Sequence, residues 1–175
     1  MPDPVERMLS LPIGVIVERR ALDGPWQDHA WLPVEIVPGA GAVEDWREIG
    51  RGDGWVRYLI GSAPLELHRR ETEAYKVNLS SDLPRVYVLL RTDDAADTSH
   101  EIRLFLVTAS PYEAESYIGV DGGILEGVPM PPDLIAWVQA FIDRHHVDEP
   151  FQKRKRKRYG EDTARTGGQR GNGVG

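Results

Sequence analysis

Within the seven residues Pro25–Trp31, Pro-Trp-Gln-Asp-His-Ala-Trp, the chain places two indoles, an amide, a carboxylate and an imidazole on one segment. Asp28 and His29 have the residue types of an acid–base pair, in which a carboxylate orients an imidazole that moves a proton near neutral pH. Neighbouring residues seldom aim at one atom, so this pair needs a third group from elsewhere. The plainer reading is a loop held by buried Trp26 and Trp31, with Asp28 accepting from turn amides. A second polar run, His68-Arg69-Arg70-Glu71-Thr72-Glu73, carries types that hold an anion, because an arginine fork matches carboxylate or phosphate. With Leu65 and Leu67 facing inward on a strand, Glu66, His68 and Arg70 share the opposite face. Should the first strand lie beside this one, Glu18, Arg20, His68 and Arg70 form one surface with His29 at its rim. The candidate catalytic groups are therefore Asp28, His29 and His68. The candidate ligand- or partner-binding groups are Glu18, Arg20, Trp26, Trp31, Arg70 and Glu71. Against them stands a solvated strand face crossed by ion pairs of small worth.

Several chemistries have no footing. The chain contains no cysteine, which removes disulfides, thiolate metal sites and cysteine nucleophiles together. Neither His-x-His nor His-Glu-x-x-His occurs, so no metal is implied. There is no Gly-x-Ser-x-Gly, and Gly39-Ala40-Gly41 and Gly52-Asp53-Gly54 match neither phosphate-binding loop, so no cofactor is implied either. No apolar run is long enough for a membrane span and the first residues are acidic and proline-broken, which makes the cytoplasm the expected compartment.

The elements that must position these residues follow from periodicity. Ile13, Val15 and Val17 alternate within Leu11–Arg20, a strand with a buried face. Trp31–Val37, Trp55–Ile60, Leu65–Arg70, Arg85–Arg91, Ile102–Thr108 and Ile124–Val128 complete about seven short strands. Trp55–Ile60 and Leu65–Arg70 read as a hairpin turned at Gly61-Ser62-Ala63-Pro64. Val43–Glu48 reads as a helical turn carrying Trp46, and Glu71–Ser80 as either helix or strand. Ser110-Pro111-Tyr112-Glu113 is a helix start, with a cap serine, a first-position proline and a third-position glutamate, predicting a short helix near 111–118. Leu134, Trp137, Val138, Phe141 and Ile142 repeat at three and four, predicting an amphipathic helix near 132–146. The expected fold is α+β, mainly an antiparallel sheet or partly closed barrel. The expected organisation is a loose lead-in over 1–10, one globular domain over 11–150 and a disordered tail over 151–175.

Charge is uneven. The chain has 21 Lys+Arg and 28 Asp+Glu. Residues 151–175 hold 8 basic and 2 acidic, including Lys153–Arg158, which leaves 13 basic and 26 acidic in 1–150. That tail has the composition of a polyanion-binding segment, but it lacks interleaved aromatics and trails an acidic body, so nucleic acid is not the expected partner.

Leu11–Arg20, Pro25–Trp31, Leu65–Tyr75, Thr108–Ala114 and His145–Phe151 together resemble domain-of-unknown-function family 3305, a set of small proteobacterial proteins, over about Leu11 to Lys155. The resemblance implies no catalytic residues. It does imply a setting, since members tend to be encoded beside molybdenum-dependent formate dehydrogenases. Some are labelled as molybdopterin-guanine dinucleotide biosynthesis proteins, a role that would need a glycine-rich nucleotidyltransferase loop this chain lacks. The expected function is a non-catalytic accessory or binding protein with a protein partner. The alternatives are an enzyme for a small anionic substrate using His29, Asp28 and His68, and a polyanion-binding module using the basic tail.

Overall fold

The computed structural model describes residues 7–26, 28–92 and 100–147, which form seven strands and three helices around two antiparallel sheets. The organising element is β1 (Met8–Ala21). On one side it pairs with β2 (His29–Pro38), on the other with β4 (Trp55–His68), whose far edge carries β3 (Arg47–Gly52). The second sheet places β5 (Arg85–Thr92) between β6 (Ile102–Thr108) and β7 (Gly123–Pro129). The two sheets meet where β4 approaches β6 and β2 approaches β7, and the sheets stay unclosed there.

Ile13, Val15 and Val17 turn one face of β1 into the shared core, as their alternation predicts. The other face is covered as well. Gly14 lies under Ala40 and Val37, so close that a Cβ there would come within 2.8 Å of Ala40 Cβ. Pro12 and Pro64 face each other in the β1–β4 ladder, in the middle of two long strands, where a missing N–H ordinarily breaks pairing. Both vacancies point outward: β2 pairs only from Ile13 onward, and β3 stops pairing at Leu59.

The strand count is seven, but its membership differs from the sequence reading. Gly61-Ser62-Ala63-Pro64 is no turn. It continues β4 opposite Val15, Gly14, Ile13 and Pro12, and the bare Gly61 lets Leu104 of β6 come close. The hairpin expected there lies between β3 and β4, turning through Asp53-Gly54 with Gly54 at φ +76°. Residues 43–46 are irregular rather than helical, and Arg47 and Glu48 already belong to β3.

Arg69–Glu71 make a 3-10 turn that leads into α1 (Thr72–Leu79), which decides the ambiguous segment in favour of helix. In α2 (Pro111–Glu115) the Ser110 hydroxyl accepts from the Glu113 amide at 3.1 Å, the expected cap. In α3 (Pro132–His145) Leu134, Val138, Phe141 and Ile142 form the buried stripe, and Phe141 meets Tyr75 of α1. Buried Asn78 ties α1 to the sheet: its amide nitrogen donates to the Arg85 and Ala109 carbonyls and its oxygen accepts from the Arg85 amide. Of the expected lead-in, Met8–Ser10 already belong to β1. Residues 1–6 and the expected tail lie outside the described residues. Among the described residues no helix is long and apolar enough to cross a membrane.

Candidate functional site

The register of β1 decides which polar groups can meet. Ala21 pairs with His29 and Met8 with His68, thirteen positions apart on the same strand. At 3.2–3.4 Å per residue those positions are separated by roughly 40 Å. His29 and His68 therefore sit at opposite ends of the sheet, and no single centre contains Asp28, His29 and His68. The surface expected to join Glu18 and Arg20 to His68 and Arg70 does not form either. Antiparallel pairing puts Glu18 beside Arg57, at the start of β4 rather than its end. The Glu18 side chain is only 2% exposed, accepting from Arg20 Nη2 at 2.7 Å and Arg57 Nε at 3.2 Å. Glu18 and Arg20 are engaged with each other.

At the His29 end, one carboxylate collects two ring nitrogens. His29 Nε2 lies 2.7 Å from Glu101 Oε2, and the Trp31 indole donates to the same oxygen at 3.0 Å. The indole hydrogen bond first, then the imidazole, hold the Glu101 carboxyl below its usual range. Asp28 is exposed, and its carbonyl closes the loop by accepting from the Leu22 amide. Trp26 does not anchor anything. It is 93% exposed at the loop tip, because Gly24-Pro25 carries the chain out beyond the sheet, and Trp31 alone packs against the core. Beside Trp31 the inner face of β1 runs out of apolar residues at Arg19. There a recess of about 380 Å³ opens, lined by Arg19, Trp31, Asp45, Trp46, Glu48, Tyr58, His100 and Glu101. Of these, only Trp31 was a sequence candidate. Glu101 meets His29 across 72 positions, and Trp46 stacks on His100 across 54, separations at which a single sequence carries no local signal.

At the His68 end a wider groove, about 1210 Å³, lies where β4 turns into α1 and α3 ends. Its wall carries Arg7, His68, Arg69, Arg70, Lys76, His145 and His146, and Glu73 is the one carboxylate among the lining residues. Tyr75 builds this corner from below. Its hydroxyl accepts from the His68 amide at 2.9 Å and donates to Glu71 Oε2 at 3.1 Å. Burial pushes the phenol far above its ordinary value. Glu71 is thereby turned toward Tyr75, which leaves Arg69 and Arg70 exposed on the turn. Across the groove His146 Nδ1 meets the Thr72 hydroxyl at 3.0 Å, joining the end of α3 to the start of α1, and His68 Nε2 lies 3.1 Å from Glu66. The Arg/Lys side chains outnumber the carboxylate four to one, on a body in which acids outnumber bases two to one. Such a wall holds an extended anion by many donors at once. Among the described residues, no three His, Asp or Glu side chains gather as a metal-binding group.

Residues 12–155 match the family described as Protein of unknown function (DUF3305), and the chain belongs to that family. No curated protein and no solved structure matches it.

Proposed function

We propose that this DUF3305 protein is a non-catalytic binding protein whose basic groove receives an acidic segment of a protein partner. We place that partner in the assembly or regulation of a molybdenum-dependent oxidoreductase of the formate dehydrogenase kind, acting in the cytoplasm. One observation carries the binding reading: Arg7, Arg69, Arg70 and Lys76 converge on an open groove, although acids outnumber bases two to one over residues 1–150. A long, unenclosed wall of donors suits a chain segment better than a small substrate, which a closed pocket would surround. The molybdenum setting rests on the resemblance to a family whose members tend to be encoded beside molybdenum-dependent formate dehydrogenases.

The test is fluorescence anisotropy with a labelled Glu/Gly peptide and full-length protein. Binding should saturate, weaken with salt, and fall at least tenfold in Arg69→Glu/Arg70→Glu. Both substitutions fall on exposed side chains, so the fold is retained. Lys153–Arg158 is replaced by a Gly/Ser run of equal length in both proteins, so that binding by the tail does not mask the groove. Equal affinity of the two proteins would refute the groove as the binding surface. Stronger binding of the chain with its own tail to an RNA or DNA oligonucleotide than to the peptide would favour the polyanion-binding alternative.

A further inference from the structure

We propose that the β1–β2 loop of one copy docks in the basic groove of a second copy, a contact that rests on the reading of that groove as a receiver of acidic segments. The loop projects beyond the sheet with Trp26 almost wholly exposed at its tip, and Leu22 is exposed at its base. Asp23 and Asp28 flank the indole in sequence and are exposed as well. Among the described residues neither carboxylate takes part in an ion pair. The neighbouring arginines are engaged elsewhere, Arg20 and Arg57 with Glu18 and Arg51 with Glu48. A singly exposed apolar side chain is ordinary on a protein surface. Here the groove supplies its counterpart.

The groove is lined by more than cations. Met8, Val77 and Val147 expose apolar side chains there, beside Arg7, Arg69 and Arg70. A purely acidic segment answers the arginines and leaves those apolar groups in water. A segment with an aromatic centre between carboxylates answers both, and Asp23-Gly24-Pro25-Trp26 with Asp28 has that pattern. Methionine sulfur and arginine guanidinium planes both pack favourably on an indole. Pro25 limits the loop's freedom before docking, which lowers the entropy cost of binding. At about 1210 Å³ and open to solvent, the groove has room for a loop tip. The two surfaces lie at opposite ends of β1, where Ala21 leads into the loop and Met8 lines the groove. Thirteen steps of strand separate them by roughly 40 Å. A contact between such unlike patches is heterologous, so it repeats head to tail into open chains or rings. It is also small, which makes it weak and reversible. Because the loop occupies the place of the partner's acidic segment, self-association and partner binding exclude each other.

Sedimentation equilibrium tests this with full-length proteins that all carry the Gly/Ser run in place of Lys153–Arg158, which removes attraction between the tail and an acidic body. The parent's mean mass should rise with protein concentration and fall with added salt or with the Glu/Gly peptide. Trp26→Ala and Arg69→Glu/Arg70→Glu should each weaken self-association at least tenfold, through exposed side chains that spare the fold. Mixed in equal amounts, these two variants should form a one-to-one dimer that grows no further, because one keeps only its groove and the other only its loop. A parent that stays monomeric, Trp26→Ala that associates as the parent does, or a mixture that stays monomeric would overturn the proposal. Anisotropy with the Glu/Gly peptide and Trp26→Ala separates that failure from failure of the groove reading. Peptide bound through Arg69 and Arg70 beside a monomeric parent rejects self-docking alone, whereas loss of both rejects the groove reading with it.

Discussion

Replacing Tyr75 by phenylalanine removes one oxygen from beneath the basic groove and leaves the buried ring in place against Phe141. That oxygen accepts from the His68 amide and donates to Glu71 Oε2, so two hydrogen bonds vanish and no side-chain volume is lost beyond the hydroxyl. At about 1 kcal/mol net per bond, with a further cost if the His68 amide is left without an acceptor, the loss should be about 2 kcal/mol. For a protein of this size that corresponds to roughly 4–8 °C in Tm. The phenol supplies a second readout. Its folded pKa is raised, so its contribution is complete below the unfolded tyrosine value of about 10 and is lost as pH rises above that. The wild-type protein should therefore lose stability in alkali more steeply than Tyr75→Phe. Its tyrosinate absorbance should also show a phenol that ionises only on unfolding, a step missing from the variant. Urea denaturation at neutral and alkaline pH, with tyrosinate absorbance followed in parallel, reads both. An unchanged midpoint together with an unchanged late tyrosinate step would refute the account of this corner. A loss above about 5 kcal/mol would refute it too, because that size belongs to cavities.

Two further outcomes concern the other end of β1. Trp31→Ala should cost about 3 kcal/mol, at the low end for large aromatic truncations because the indole is half-buried, whereas Trp26→Ala should stay within about 0.5 kcal/mol of wild type. Urea midpoints that rank the two in the opposite order would contradict the placement of the loop. Glu101 is held below the usual carboxylate range, so its contribution is present above the unfolded value of about 4.3 and fades as pH falls through the carboxylate range. The stability difference between wild type and Glu101→Gln should thus be largest near neutrality and shrink toward pH 3. A difference independent of pH would show that the His29–Glu101–Trp31 contacts do not depend on the charge.

Where a burial pattern is local, the sequence announces the element. Ile13, Val15 and Val17 predict β1, the Ser110 cap predicts the start of α2, and the Leu134–Ile142 stripe predicts α3. Where pairing partners are distant, local chemistry misleads. Gly61-Ser62-Ala63-Pro64 has the composition of a turn, yet a ladder to residues about fifty positions earlier holds it extended. Arg47–Gly52 has one large apolar residue, Ile49, and becomes a strand through backbone bonds to β4. The candidate site divides the same way. The anion-holding character of His68, Arg69 and Arg70 is visible in their types, but the arrival of Arg7, Lys76, His145 and His146 beside them is tertiary. In the recess the tryptophans are conspicuous, while Glu101 and His100, just before β6, gain their roles only through contacts with His29 and Trp31 of β2 and with Trp46.

The proposed engagement is between the basic groove and an acidic segment of a molybdenum-enzyme partner. Its most direct test is paired affinity purification from the native host, with tagged full-length wild type and Arg69→Glu/Arg70→Glu expressed at equal levels. Molybdenum in each eluate is measured by mass spectrometry alongside the recovered proteins. A molybdenum-containing oxidoreductase subunit should be recovered with the wild type and be depleted at least tenfold with the charge reversal. Recovery of that subunit by both proteins alike, or the absence of molybdenum from both eluates, would contradict it.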